Sequence, residues 1–598
     1  MKHTLLFLIL ILSVSIKGQN SADNEFLTQL ATDTWHCLDA MIDETTGFPQ
    51  DTQSPGGHTN TTNIGLYLAS LCVATKTGLS SDQHAYARAE KILTSLESFD
   101  RMHGFMPHII DVQLKSRKAH GIVAISDFNK LVVGLIMVRQ VWPQLQTRID
   151  TFIGAIEWHR LYNKDTGQVS WGYDFDNDTV TGWGSLWLAA DTRSAAFLMI
   201  ANDAAPANIW PKMEKNLKRT AYGNILTGYG MGGLFMMAMD SIFLPEITTE
   251  IGESSGNLAW QQIRFSKKRG YPFWGWSNSY MPGSGYTEGG HLSENVITPH
   301  AIALMIEHYP KHAISALRGL VDTGGTQGPK GYENKNWGLR DAYDMKKKQW
   351  DDHYLSLDQG MLFLAISNYL HQGLVRNIYA ADPLVQKGLD LVSPYMKEDP
   401  SLLDLWAKRD STQDQPILLQ EKGDNIEIPL NQINFRAKPF IQVSAKNINK
   451  TPQINVDTQA NDQPIAINFK LPKVNLRGLK ALEIDIDVLQ ASQKNIGSLR
   501  LLIIDQHDQK RYAHFELKKD QKTYRIDSDQ LLGIHIQEEN IKSLELIFWT
   551  NPWYYQEHKL KAKQLSLQLS KVRFWTDFDK KMNILEATEI NHAHLLTQ

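Results

Sequence analysis

The chain of 598 residues is 42% hydrophobic and 21% charged, with a formal charge of -4, enough apolar content for two or three well-cored domains. No basic excess of the kind nucleic-acid binding uses is present, so uncharged or weakly charged partners are expected. Its only cysteines, Cys37 and Cys72, permit a single bridge and exclude a disulfide framework.

Met1 to Gly18, MKHTLLFLILILSVSIKG, reads as a secretory signal: a lysine, a short apolar run, then small and polar residues. The run is shorter than the roughly 20 residues of a membrane span. A periplasmic or secreted mature chain without a membrane span is therefore expected.

From Glu25 to about Lys397 apolar residues recur every three or four positions, in segments parted by Gly, Pro, Asn and Asp. The pattern predicts helices over Glu25–Asp43, Thr62–Lys76, Asp82–Asp100, Val123–Trp142, Gln144–Tyr162, Gly184–Ala201, Pro206–Arg219, Met231–Ser241, Ile247–Lys268, Thr298–His308, Pro310–Val321 and Leu357–Leu370. Six antiparallel hairpins of this kind can close into an all-α (α/α)6 toroid over residues 25–397. No fixed-period repeat supports the competing open solenoid. In a toroid the long loops gather at one rim, where binding segments sit on a rigid scaffold.

Residues 398–415 read as a linker. From 416 to 576, runs such as ALEIDIDVL, LRLLIIDQ and SLELIFWT have strand length and strand alternation, predicting an all-β sandwich; 577–598 read as a tail. Trp549, Trp553, Tyr554 and Tyr555 in FWTNPWYY would suit either a sugar-stacking face or interior packing, and packing is the favoured reading.

Within the helical part, three loops concentrate Trp, Tyr, Gly and Asp: WGYDFDNDTVTGWGSLW (Trp171 to Trp187), WGWSNSYMPGSGYTEGG (Trp274 to Gly290) and GYENKNWGLRDAYD (Gly331 to Asp344). Flat aromatic faces match the C–H faces of a pyranose, and glycine lets backbone groups approach a ligand. Trp274, Trp276, Tyr280, Tyr286 and Trp337 are the candidate substrate-binding rings. Glu288 is the sole carboxylate in the second loop, which makes it a candidate proton donor.

Seven stretches carry a family resemblance: HTNTTNIGLYLASLCVATKTGLSS from His58, AADTRSAAFLMIANDAAPANIW from Ala189, YGMGGLFMMAMDSIFLP from Tyr229, WGWSNSY from Trp274, ITPHAIALMI from Ile297, WGLRDAYD from Trp337 and YLSLDQGMLFLAISNYL from Tyr354. In this order they resemble the glycoamylase-like domain of bacterial endo-β-1,2-glucanases and cyclic β-1,2-glucan synthases. The resemblance covers about 25–396 and not the β-region. It implies an (α/α)6 fold, glycoside hydrolysis without metal or organic cofactor, and β-1,2-glucan as substrate.

Glycoside cleavage commonly pairs a protonated carboxyl with a carboxylate. The family places an acid two residues before an arginine; here these positions hold Asp191 and Arg193. Where transglycosylating relatives carry a second Glu, this chain has Asn278, which cannot donate a proton as an acid would. The departure implies an inverting hydrolase. Asp341 and Asp358 match acidic family positions and are candidates for the base, Asp358 also reading as a helix cap. Asp127 matches a further acidic position and is a candidate for orienting substrate or water.

No phosphate loop or zinc-binding His-Glu-x-x-His motif occurs. The alternatives to a hydrolase are a polysaccharide-binding protein on a hydrolase fold, and a lyase for acidic polysaccharide. The lyase reading would require a Tyr/His pair beside a basic cleft.

Overall fold

The computed structural model describes residues 21–412 apart from 55–56, 113–115, 118–120, 221–222, 229–232, 284 and 288–293. Beyond 412 it describes 417–418, 426–429, 435–437, 443–448, 451–457, 465–476, 479–492, 496–533, 536, 538–548, 564–576 and 583–584. The signal segment, Glu288 and the FWTNPWYY aromatics from Trp549 onward lie outside the described residues.

The helices are α1 (Ser21–Ala40), α2 (Thr61–Lys76), α3 (Asp82–Glu97), α4 (Ile125–Val141), α5 (Gln146–Gly154), α6 (Arg193–Ala201), α7 (Leu234–Ala238), α8 (Glu250–Arg269), α9 (Pro299–Leu304), α10 (Pro310–Asp322), α11 (Ser356–Leu370), α12 (Leu374–Ala380), α13 (Pro383–Val392) and α14 (Leu402–Asp410). They divide by sequence pattern. In α2, α4, α6, α7, α9 and α11 nearly every side chain is buried, polar ones included, as a helix apolar all round requires. Outer helices such as α3 and α10 bury one stripe, Ala85, Ala89, Ile92 and Leu96 in the first, Ala313, Leu317 and Leu320 in the second.

The inner six form a closed chain of neighbours. α2 packs on α4 and on α11, α4 on α6, α11 on α9, and α9 on α7. α6 meets the end of α7 through Arg193 Nη2, which donates to Met237 O at 2.9 Å, and Ser194 Oγ, which donates to Asp240 at 2.9 Å. α2 and α4 approach so closely that a Cβ on Gly65 would stand 2.0 Å from Lys130 O. A larger residue at Gly65 would push the two helices apart.

Ten of the expected helices appear near their predicted places; two differ. Gly184–Ala201 becomes helical only at Arg193, because Val169–Ser170 pairs with Trp183–Gly184 and Gly172–Asp174 pairs with both Ile122–Ala124 and Thr179–Val180. Pro206–Arg219 is no helix: a short turn at Ala207–Ile209 leads to strand Asn216–Thr220, hairpinned with Gly223–Thr227. The place beside α6 is taken instead by α13, where Gly388 lies so close to Phe197 that an added Cβ would be 2.6 Å from the ring. Part of the expected linker is also ordered, as α14, whose Trp406 packs on Gly256 and whose Arg409 donates to Asn257. Cys37 and Cys72 are buried free thiols and do not bridge.

Apart from the pair Ile417–Leu418 and Asn583–Ile584, the described C-terminal strands form two antiparallel sheets. One runs Val443–Ile448, Thr451–Asp457, Gln564–Thr576, Leu479–Ala491, Thr523–Asp527; the other runs Phe435–Ala437, Ile465–Val474, Ile541–Phe548, Ser498–Asp505, Lys510–Glu516. Alternate residues Leu482, Ile484 and Ile486 of the first share a core with Leu501, Ile503, Leu544 and Leu546 of the second, the packing of two inward faces.

Candidate active site

The amino-terminal ends of the inner helices meet at one rim. Thr62 in the first turn of α2 donates to Asp127 in the first turn of α4 at 2.8 Å. Its neighbour Asn63 donates to Asp51 at 2.9 Å, and Ser356 at the start of α11 donates its N–H to Asp51 O. His300 in the first turn of α9 stands 3.0 Å from Asp358 in the first turn of α11. Carboxylates collect here with physical cause: first-turn N–H groups and the helix dipole favour negative charge.

Asp191 lies in the turn that enters α6. It is 7% exposed, and its Oδ1 is buried without a hydrogen-bond partner. Burial, opposed by Lys130 and reinforced by Asp240 and Asp127, pushes its carboxyl up to about 7. Lys130 approaches the aspartate from below but spends its hydrogen bonds elsewhere: on Asp191 O at 2.7 Å, Asn129 Oδ1 and Ser194 Oγ. Its charge is met by Asp240 at 2.7 Å, which also accepts from the Ser194 N–H and hydroxyl. The turn bearing Asp191 is thus held by its backbone while Oδ1 of its carboxyl is left without a partner.

Arg193 belongs to the same framework. It is fully buried, paired with both oxygens of Glu246 at 2.7 Å, and donates to Leu188 O, Ala190 O and Met237 O. The expectation that it binds substrate is corrected by this saturation. Its guanidinium fixes the Asp191 turn to α7.

On the other side of the rim Asp341 and Asp358 form a second buried set. Asp341 Oδ1 accepts the Leu355 N–H at 2.8 Å and its Oδ2 has no partner. Asp358 Oδ2 accepts from Ser279 Oγ at 3.0 Å and its Oδ1 has no partner. Burial first, then the charge of Asp358, raises the Asp341 carboxyl well above the ordinary carboxylate range. Asp358 makes no capping bond, so the cap reading fails; Leu355 occupies the cap position of α11.

Tyr280 and Tyr286 face each other across the short hairpin Ser279–Met281 and Gly285–Thr287. Tyr280 stacks on His353 at 4.3 Å, and burial with the charges of Asp51, Asp341 and Asp351 raises its hydroxyl. Tyr286 is 37% exposed and meets Tyr280 edge-on. These two rings can offer a face to a ligand. The tryptophans do not. Trp274, Trp276 and Trp337 are at most 4% exposed. Trp276 packs edge-on against Phe265 and donates Nε1 to Glu294 O at 3.1 Å, Trp274 donates to His312 O, and Trp337 packs against Tyr332 and Tyr354. The expected stacking platform is wall, because an indole among other rings gains more by burial than by exposure.

Lys130, Asp240, Glu246 and His300 were not singled out from the sequence, although AISDFNK, AMDSIFLP and ITPHAIALMI contain three of them. A lysine three residues after a first-turn aspartate, on an otherwise apolar helix, is the signal that would have found the buried charge of Lys130. Among the described residues no group of three or more metal-ligating side chains could hold a metal ion, and no helix is long and apolar enough to cross a membrane.

Comparison with known proteins gives one family match, described as putative glucoamylase, over residues 200–383. The cyclic β-(1,2)-glucan synthase of Rhizobium meliloti is 24% identical over 324 residues, 49% of this chain and 11% of that protein, so the chain spans about a tenth of that relative's length. Among solved structures, a glucoamylase-family protein from Bacteroides fragilis superposes with a TM-score of 0.55 at 20% identity, covering 62% of this chain and 96% of its own. The endo-β-1,2-glucanase from Chitinophaga pinensis, in complex with sophorotriose and glucose, gives 0.52 at 19% identity, covering 62% and 99%. The β-1,2-glucanase from Parabacteroides distasonis gives 0.53 at 18%, covering 62% and 60%.

Proposed function

We propose that the helical domain is an (α/α)6 toroid whose rim is the active site of a secreted glycoside hydrolase cleaving a β-glucan, with internal cleavage of β-1,2-glucan and inversion as the specific assignment. One observation carries the reading: Asp191, Asp341 and Asp358 are buried at the amino-terminal rim with one carboxylate oxygen each left without a partner. An unmade hydrogen bond on a buried group costs about 1–3 kcal/mol, a cost that packing gives no reason to keep and that bound substrate or water would relieve.

Asp191, held near 7 by burial, is the general acid, since a donor works best when its affinity for the proton lies close to the working pH. Asp341 and Asp358 are the two candidates for the base. Burial and the charge of Asp358 raise the Asp341 carboxyl, and we assign the base role to the Asp341–Asp358 pair. Ser279 Oγ donates to Asp358 Oδ2 at 3.0 Å and His300 stands 3.0 Å from the same oxygen, contacts that fix the Asp358 carboxyl in place. Asp127, tied to Thr62, orients substrate or water, and Tyr280 and Tyr286 contact a glucosyl unit.

The acidic surroundings, with Asp51 and Asp351 beside the pair, would repel an acidic polysaccharide and favour a neutral glucan over the lyase reading. The secreted location rests on the Met1–Gly18 pattern. Incubating the purified chain with β-1,2-, β-1,3- and α-linked glucans, and resolving products by length and anomeric configuration, tests the reading. Oligomers of several lengths from β-1,2-glucan with inverted configuration are expected; no product from any glucan would favour a binding protein.

A further inference from the structure

Where the two domains meet, each contributes one arginine and one glutamate to a closed ring of charge. From the helical domain come Arg269, the last residue of α8, and Glu294, which follows the aromatic segment; from the β-domain come Arg511 and Glu538. Glu294 lies 3.3 Å from Arg269 and 2.7 Å from Arg511, Glu538 lies 3.2 Å from Arg511, and Arg269 closes the ring by donating to Glu538. All four side chains are at most 8% exposed. Tyr271 adds a hydrogen bond to Glu294 at 2.7 Å, and Arg511 donates to Ser528 O at 2.7 Å. Burial would raise the Glu294 carboxyl, but Arg269 and Arg511 outweigh it and hold it below its ordinary value. A module tethered for independent carbohydrate binding has no need of such a ring, whose members must all leave water.

The ring lies at the foot of the candidate active site. Glu294 O accepts the Trp276 indole N–H. The next residue, Asn295, donates to Asp344 at 2.6 Å and accepts the Met345 N–H. Val296–Ile297 then pairs with Tyr343–Asp344, which pairs in turn with Gln349–Trp350. Asp341 precedes this sheet by two residues and Asp351 follows it by one. Within the aromatic segment, Ser279 donates to Asp358.

We propose that the β-domain is a fixed part of the catalytic unit, in which Arg511 and Glu538 act as positioning residues that hold Glu294 and, through the 294–297 strand, the loop carrying Asp341. The proposal rests on the reading of the rim as the active site, but the positioning itself is measurable without activity. The test uses the full chain with Arg511→Met, Glu538→Gln and the charge-balanced double variant Arg511→Met/Glu538→Gln, which leaves Arg269 and Glu294 to neutralise each other. Hydrogen–deuterium exchange is followed at 279–287, 294–297 and 343–351, together with kcat and KM on β-1,2-glucan.

In the single variants the amides at 294–297 and 343–351 should exchange about tenfold faster, with those of α2 and α4 unchanged and the loss of activity carried by kcat. The double variant should show the same pattern and decides the matter if the single variants fail to fold. Unchanged exchange at 294–297 and 343–351 in the folded double variant would overturn the proposal and leave the ring as domain adhesion alone. The expected exchange pattern in a chain that cleaves no glucan would remove the functional reading and retain the positioning role.

Discussion

The buried charges of the helical domain fall into two groups that are built in opposite ways. In the framework, Arg193 meets Glu246 and Lys130 meets Asp240, each with further hydrogen bonds to backbone or hydroxyl groups. At the rim, Asp191, Asp341 and Asp358 are also buried and each keeps an oxygen without a partner. The framework shows that this fold can satisfy buried charge. Its failure to do so at three rim carboxylates therefore points to chemistry rather than to poor packing.

The contrast can be broken by substitution. Lys130→Met would leave Asp240 as an uncompensated buried charge and should lower unfolding free energy by about 3–5 kcal/mol in a denaturant titration. A loss under about 1 kcal/mol would mean that the framework pair is not needed. Trp276→Ala should cost a similar amount, about 3–5 kcal/mol, because the ring is wall.

Asp191 should behave in the opposite sense. Its folded carboxyl titrates at about 7, above the ordinary value of 3.8, so between these limits the folded state binds more protons than the unfolded state. Stability should accordingly fall as pH rises from about 4 to about 7 and level off above, by an amount on the order of a few kcal/mol. Asp191→Asn should flatten this part of the stability profile and be neutral or stabilising at pH 8. A profile unchanged by the substitution would show that the carboxyl is not raised.

The smallest expected effect on stability is at Tyr286, whose exposed ring should be replaceable by Ala at a change of about 0.5 kcal/mol or less while KM for the glucan rises. Loss of several kcal/mol with KM unchanged would place the ring in the core.

What the sequence made legible follows from these same physics. Helices α2, α4 and α11 were read nearly to the residue, since a long apolar period, bounded by Asn60 before α2 and by Pro143 after α4, has few alternatives. Pro206–Arg219 misled because its apolar spacing fits a helix, while the partner that makes it a hairpin, Gly223–Thr227, lies in the next segment. The displaced helix, α13, reaches α6 from nearly two hundred residues away, which no local pattern encodes. At the site, carboxylates could be chosen from motifs. Whether an indole faces solvent depends on what covers it, and the residues that cover Trp276, Phe265 and Tyr271, come from α8 and the turn that ends it.

The turnover of Asp191→Asn with β-1,2-glucan, measured beside the unaltered chain and with oligosaccharide binding followed separately, tests the role of the buried rim carboxylate most directly. General acid catalysis is typically worth about a hundred- to ten-thousand-fold. The expected result is a loss of kcat on that scale, with binding retained and the fold at least as stable as before. Turnover near that of the unaltered chain would contradict the assignment, and with it the claim that a buried, unpartnered rim carboxylate is the reacting acid.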